Sequence, residues 1–291
     1  MDKPAGVSSH AVVARVRAAL GIRKVGHAGT LDPAATGVLV IGVGRATRLL
    51  GYLTKADKTY ESTIRLGVAT HTDDADGEVT STTGCEHLDD AAIHEAFATQ
   101  RGAIEQIPSA VSAVKIDGRR SYDRVRAGEQ VSIPARRVVI EELQVENIQR
   151  GGAIPDGAVD VDIRVRCSAG TYIRAIAREV GGILGVGGHV RVLRRVASGA
   201  FDIDTAHPLQ EVVEAGDGAR EWLMSLRDAA GRALPMVVVD AQAAGEIAHG
   251  RVIAWPGEAD ADGPHALVDD GQLLAIAERA GNRTRYLAVF A

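Results

Sequence analysis

Gly26-His27-Ala28-Gly29-Thr30-Leu31-Asp32-Pro33-Ala34-Ala35-Thr36-Gly37-Val38-Leu39 carries the most informative pattern in this chain. Asp32 stands in the middle, beside Pro33, and is the only acid between Asp2 and Asp57. The glycines and the proline exclude an amphipathic helix here. Gly29 and Gly37 permit the tight turns of a loop that presents one side chain. Two readings of these residues stay open: an Asp-Pro turn initiator, which is what most such pairs are, or a lone carboxylate held on a stiffened loop for chemistry.

Four further runs lie around this centre: Lys3-Pro4-Ala5-Gly6-Val7-Ser8-Ser9 before it, then Asp57-Lys58-Thr59-Tyr60, Gly170-Thr171-Tyr172-Ile173-Arg174 and Leu193-Arg194-Arg195 after it. With Gly29-Thr30-Leu31-Asp32, which matches a G-x-L-D pattern, they resemble in order and kind the motifs of the pseudouridine synthases. The resemblance is closest to the bacterial branch that acts on uridine 55 in the T-loop of tRNA. It implies a mixed α/β (α+β) fold, with an extended, largely antiparallel sheet, flanking helices and the catalytic loop in a central cleft.

The reaction of that family breaks the N1–C1′ bond of uridine, rotates the base and joins C5 to C1′. It needs a nucleophile, a water-poor pocket and a base taken out of its stack, and no cofactor. The resemblance makes Asp32 the nucleophile, acting on the ribose C1′, the uracil ring or a sugar proton. It pairs Arg174 with that carboxylate and stacks Tyr60 on the target base. His27 fills the space left by the flipped nucleotide, and Leu193 forms an apolar pocket wall. Tyr172 is a further substrate-binding candidate, Asp76 a contact for the extruded nucleotide, and Lys3 with Pro4 a support for the catalytic loop. Without the resemblance, each has a plainer reading as a core, loop or solvated side chain.

Composition sets bounds. The 46% hydrophobic and 24% charged residues suit a soluble globular protein, and with only 3% aromatics its core must be mostly aliphatic. No apolar run approaches the roughly 18 residues of a membrane helix. No basic-then-apolar leader opens the chain, so a cytoplasmic protein is expected. A short strand should precede the Lys-Pro-Gly loop, which suggests that the natural chain starts upstream of residue 1. Cys85 and Cys167 stand apart from each other and from any histidine at ligand spacing, against a disulfide framework or a zinc site.

The net charge of −5 is unevenly spread. Residues 1–60 carry nine Lys/Arg against three Asp/Glu and residues 101–200 sixteen against eleven, while 61–100 carry one against nine and 201–291 seven against fifteen. All five motifs lie in the basic blocks. Local potential attracts phosphate, so an acidic protein can still bind the T-arm of tRNA. A monomer with no obligatory protein partner is expected.

Periodicity predicts helices over 9–20 (capped by Ser8 or Ser9), 45–53, 88–98, 121–127, 172–184 and 205–230. Strands are predicted over 38–43, 60–66, 111–116, 137–149 and 158–168, with a polar loop at 70–77. A change of character near residue 232 divides a catalytic domain, 1–232, from a small β-rich domain, 233–291, with the outline of a PUA-like RNA-binding module. Gly42-Val43-Gly44-Arg45-Ala46-Thr47 lacks the last glycine of a dinucleotide loop, and the glycines of 181–188 lack the ending of a phosphate loop. A tRNA-folding chaperone without catalysis is the competing reading, and a synthase working inside a guide-RNA particle a third.

Overall fold

The computed structural model describes residues 1–109, 115–116, 119–120, 133–151, 154, 157–258 and 262–290. The chain forms two compact units, one of Met1–Asp32, Val38–Ala56 and Ser198–Ala291, the other of Pro33–Gly37 and Asp57–Ala197.

In the first unit, the helix Ser9–Leu20 begins at Ser8, whose extended backbone lets its hydroxyl accept from the Ala11 N–H at 3.1 Å. Its apolar face, Val12, Val13, Val16 and Leu20, packs against Val25, Leu39, Leu209, Val212 and Ala219. Burying each such Val or Leu is worth about 1.5–3 kcal/mol. Val25–Ala28 and Val40–Val43 form an antiparallel hairpin, with Val25 opposite Val43 and Ala28 opposite Val40.

Three predictions are corrected in this unit. The run 38–43 is not one strand, because it divides at Leu39 into Thr36–Val38 and Val40–Val43. Leu39 is fully buried, and its N–H donates to the Met1 carbonyl at 2.8 Å, which takes it out of either ladder. The helix expected over 45–53 is a 3-10 turn, Gly44–Arg48, and a short helix, Leu50–Leu53. Leu49 and Leu53, four apart, both reach the core. The helical stretch 205–230 resolves into Leu209–Ala215, a 3-10 run Gly216–Trp222 and Leu226–Gly231. Gly216, at φ 55, breaks the first helix, and Ser225 restarts the chain by accepting from the Asp228 N–H at 3.1 Å.

The β-rich tail forms a sheet in the order Met236–Val238, His265–Asp269, Gln272–Ala280, Arg283–Val289. It shares one core with the start of the chain: Ala266, Val268, Leu273, Ile276 and Phe290 pack with Ala28, Val38, Leu49, Leu53 and Ala230. Arg45 and Arg48 donate to the carbonyls of Phe290 and Val289.

The second unit is built on a sheet in the order Thr36–Val38, Gly188–Ser198, Lys58–Leu66, Val159–Cys167, Arg136–Arg150, Gly102–Gln106. The pairings of the last four strands are antiparallel, giving the mixed, largely antiparallel architecture expected. Alternation fixes its faces, since Lys58, Tyr60, Ser62, Ile64 and Leu66 are buried while the residues between them are half-buried. Register is pinned by charge as well. Asp160 lies opposite Arg65 and accepts its guanidinium at 2.7 and 2.8 Å, and a slip of one residue would put them on opposite faces.

The helices Asp90–Ala98, capped by Asp89, and Ile173–Ile183 pack on this sheet. Gly181 serves packing: a Cβ there would lie 2.3 Å from the Gly187 backbone. Of the strand expected over 111–116, Lys115–Ile116 is described, antiparallel to Arg119–Arg120. The rest of it, and the helix expected over 121–127, lie outside the described residues.

Candidate active site

The first unit carries Lys3, His27 and Asp32. Lys3 is fully buried, and its ammonium donates to the carbonyls of Pro4 at 2.9 Å and Val7 at 2.7 Å, so it braces the bend that leads into the helix Ser9–Leu20. His27 sits on the hairpin strand Val25–Ala28, edge-on to His10 with ring centroids 5.4 Å apart. Asp32 is half-buried. The residue before it is clasped twice: Ser9 Oγ accepts from the Leu31 N–H at 2.9 Å and donates to the Leu31 carbonyl at 3.0 Å.

The chain then enters the second unit. Thr36 and Gly37 pair in parallel with Arg194 and Arg195 of the strand Gly188–Ser198. Thr36 Oγ1 donates to the carbonyl of Leu193 at 3.5 Å, and Leu193 itself is half-buried. Gly37 has φ 99, and a Cβ there would stand 2.2 Å from the Arg195 carbonyl oxygen. No residue with a side chain fits that position without moving backbone.

Tyr60 lies on the strand Lys58–Leu66, 8% exposed, opposite Val165. Tyr172 is half-buried just before the helix Ile173–Ile183, and its N–H donates to Gln106 Oε1 at 2.7 Å. Arg174 follows in the first helical turn, 5% exposed. It donates to the Thr72 carbonyl at 3.0 Å and to Asp74 Oδ2 at 3.1 Å. One turn later Arg178 donates to Asp73 Oδ2 at 2.8 Å and to the Ile107 carbonyl at 2.6 Å. Ser109 adds a second donor to Asp73 Oδ2 at 2.5 Å.

These contacts change the reading of the 70–77 segment. It is polar, yet Asp73 and Asp74 are half-buried and fastened to one face of a helix. Asp73 is held at φ 60, a left-handed backbone that aspartate adopts more readily than most residues. Asp76 is the exposed one, with its N–H donating to Asp74 Oδ1 at 3.2 Å. Sequence reasoning chose Asp76 and passed over Asp73 and Asp74. A signal existed: Arg174 and Arg178, four apart, share a helix face and need two carboxylates, which the consecutive pair Asp73-Asp74 supplies.

Electrostatics mark the end of the sheet where the D-K-x-Y run begins. Burial, and next the Arg195 guanidinium, push Lys58 down to about 8. Burial pushes the neighbouring Cys167 thiol up to about 11. Among the described residues no group of three or more His, Cys, Asp or Glu is placed to hold a metal, and no helix is long and apolar enough to cross a membrane.

Comparison with known proteins gives consistent matches. Residues 17–173 match the model of the TruB family pseudouridylate synthase (N terminal domain), and residues 174–228 that of the tRNA pseudouridylate synthase B C-terminal domain. The tRNA pseudouridine synthase B of Thermobifida fusca (strain YX) is 48% identical, covering 100% of this chain and 97% of that protein. Its counterpart in Cutibacterium acnes (strain DSM 16379 / KPA171202) is 49% identical over 95% of this chain and 90% of its own length. Among solved structures, a chain of a Cbf5-Nop10-Gar1 complex superposes with a TM-score of 0.74 at 27% identity, over 100% of this chain and 83% of that one. A chain of the archaeal box H/ACA sRNP Nop10-Cbf5 complex gives a TM-score of 0.72 at 25% identity, over 100% and 84%.

Proposed function

The chain belongs to the TruB family of pseudouridylate synthases, and from that premise we propose that it isomerises uridine 55 in the T-loop of tRNA, with Asp32 as its nucleophile. It is an isomerase of tRNA uridine, making pseudouridine. In that reaction the N1–C1′ bond breaks, C5 bonds to C1′, the C5 proton leaves and N1 gains one, so product and substrate have the same composition. No oxidant, phosphoryl donor or cofactor enters this balance.

The observation that carries the assignment of Asp32 is how its loop is built. A half-buried carboxylate follows a residue whose N–H and carbonyl are both held by one buried hydroxyl, on a loop whose far end admits only glycine. A turn initiator needs none of this. Such a fixed carboxylate suits covalent catalysis, where placement of the reacting atom sets the rate.

Arg174 is buried on a rigid helix, and its contacts to Asp74 and Thr72 orient the guanidinium. In this reading it pairs with Asp32, so a carboxylate in a water-poor site keeps its charge. Tyr60 offers a flat ring for stacking on the flipped base, worth about 1–3 kcal/mol. Leu193 and Tyr172 line the pocket, His27 fills the gap in the T-loop, and Asp76 meets an extruded nucleotide from its exposed tip. Lys3 acts through the backbone it braces. Residues 1–232 carry catalysis, and 233–291 serve as a PUA-like surface for the rest of the tRNA. The enzyme works in the cytoplasm as a monomer with no obligatory protein partner.

A chaperone without catalysis is less favoured, since proteins sharing nearly half of this sequence along its whole length are synthases. The test is incubation with an unmodified tRNA transcript, followed by mapping of pseudouridine by position. Product at position 55 with the wild type, and none with Asp32→Ala that still binds tRNA, is the expected result. Product at another position overturns the T-loop reading, and product from Asp32→Ala overturns the nucleophile.

A further inference from the structure

We propose that Ser9 is a positioning residue for Asp32, resting on the reading of Asp32 as nucleophile. Two consecutive serines open the first helix, and the structure gives them different tasks. Ser8 is the N-cap, accepting from the Ala11 N–H. Ser9, one residue later, is 1% exposed and bonds out of the helix to a residue 22 positions away. Its hydroxyl accepts from the Leu31 N–H and donates to the Leu31 carbonyl, using both of its functions on one residue.

The consequence for chemistry is geometric. A buried residue needs partners for its backbone polar groups, and Leu31, buried between exposed Thr30 and half-buried Asp32, finds both on one atom of a helix. Fixing the N–H and carbonyl of Leu31 together fixes both of its backbone dihedrals. The Leu31 carbonyl carbon is bonded to the nitrogen of Asp32, so that constraint sets where the Cα–Cβ bond of Asp32 begins. The helix is held in turn by its packing of Val12, Val13, Val16 and Leu20 and by the bend that Lys3 braces. Displacement of a reacting group by about 1 Å costs on the order of 100-fold in rate, with little effect on binding made elsewhere.

The experiment compares wild type, Ser9→Ala, Ser9→Thr, Ser8→Ala and Asp32→Asn in three measurements: single-turnover pseudouridine formation at saturating tRNA transcript, tRNA Kd, and thermal midpoint. Ser9→Ala should lose at least about 20-fold in rate with Kd within about threefold, and Ser9→Thr, which keeps the hydroxyl, should recover most of the rate. Ser8→Ala should lower the thermal midpoint while keeping the wild-type rate, which separates helix stability from positioning. A wild-type rate for Ser9→Ala overturns the proposal. So do parallel losses of rate and affinity, a Ser9→Thr variant with a native thermal midpoint that is as slow as Ser9→Ala, or equal slowing by Ser8→Ala. If Asp32→Asn turns over like wild type, the nucleophile reading has failed and this one with it. If Asp32→Asn is inactive while Ser9→Ala is not, only the role of Ser9 is rejected.

Discussion

Asp32 is a half-buried carboxylate preceded by Leu31, which Ser9 holds, and followed four residues on by Thr36, which pairs with Arg194. That arrangement makes three single-residue outcomes predictable. Arg174→Ala should cut single-turnover rate roughly 100-fold while changing tRNA affinity only a few-fold, and equal losses in both would separate Arg174 from the nucleophile. Tyr60→Phe should retain much more activity than Tyr60→Ala if the ring acts by stacking, so indistinguishable rates would remove that role. Gly37→Ala puts a methyl 2.2 Å from the Arg195 carbonyl oxygen at φ 99. It should lower stability by at least about 2 kcal/mol, read as a fall in denaturation midpoint. The turn at Gly37 was legible in the sequence, since a glycine between short apolar runs marks a bend, and the structure holds it at φ 99. The Arg195 carbonyl that forbids a side chain at residue 37 was not, because the two positions meet only through strand pairing.

The strand Lys58–Leu66 and the helix Ile173–Ile183 show how far periodicity reaches. Its alternation was read correctly, and Val159–Cys167 beside it even more cleanly. The surprise at this scale is Lys58, an inward-facing cation in an alternating run, pushed down to about 8 from an ordinary 10.5 by burial and Arg195. The unfolded chain therefore holds that proton more tightly than the folded one. The resulting cost is full below pH 8 and gone above 10.5, so this group's contribution to stability improves as pH rises through that window. Lys58→Met lacks the titration. Stability of the wild type relative to that variant should rise between pH 8 and 10.5, and a constant difference in thermal midpoint would contradict the buried cation. The polar loop at 70–77 shows where periodicity stops, because hydropathy cannot tell an acid facing water from one facing an arginine on another element.

Across the whole chain, basic and acidic blocks alternate, and the basic ones hold the five motifs. Affinity for tRNA should therefore fall steeply with salt despite the net charge of −5, and a flat dependence of Kd on salt would contradict phosphate-led binding. The tail 233–291 is proposed as a separate RNA-binding surface, yet Ala266, Val268, Ile276 and Phe290 share a core with Leu49 and Leu53. Deleting it should strip that core. The remainder should lose its cooperative thermal transition as well as tRNA affinity, and a truncated chain melting like the full one would show the shared core to be dispensable.

By itself the sequence determined the family, the mixed α/β class and the principal strands and helices, because each is written in local spacing and residue type. Tertiary structure decided which of two adjacent serines caps the helix and which reaches Leu31, which acids of the 73–76 run meet arginines, and where the tail finds its core. Those outcomes depend on partners distant in sequence, and pairing over such distances leaves no periodic trace in the chain.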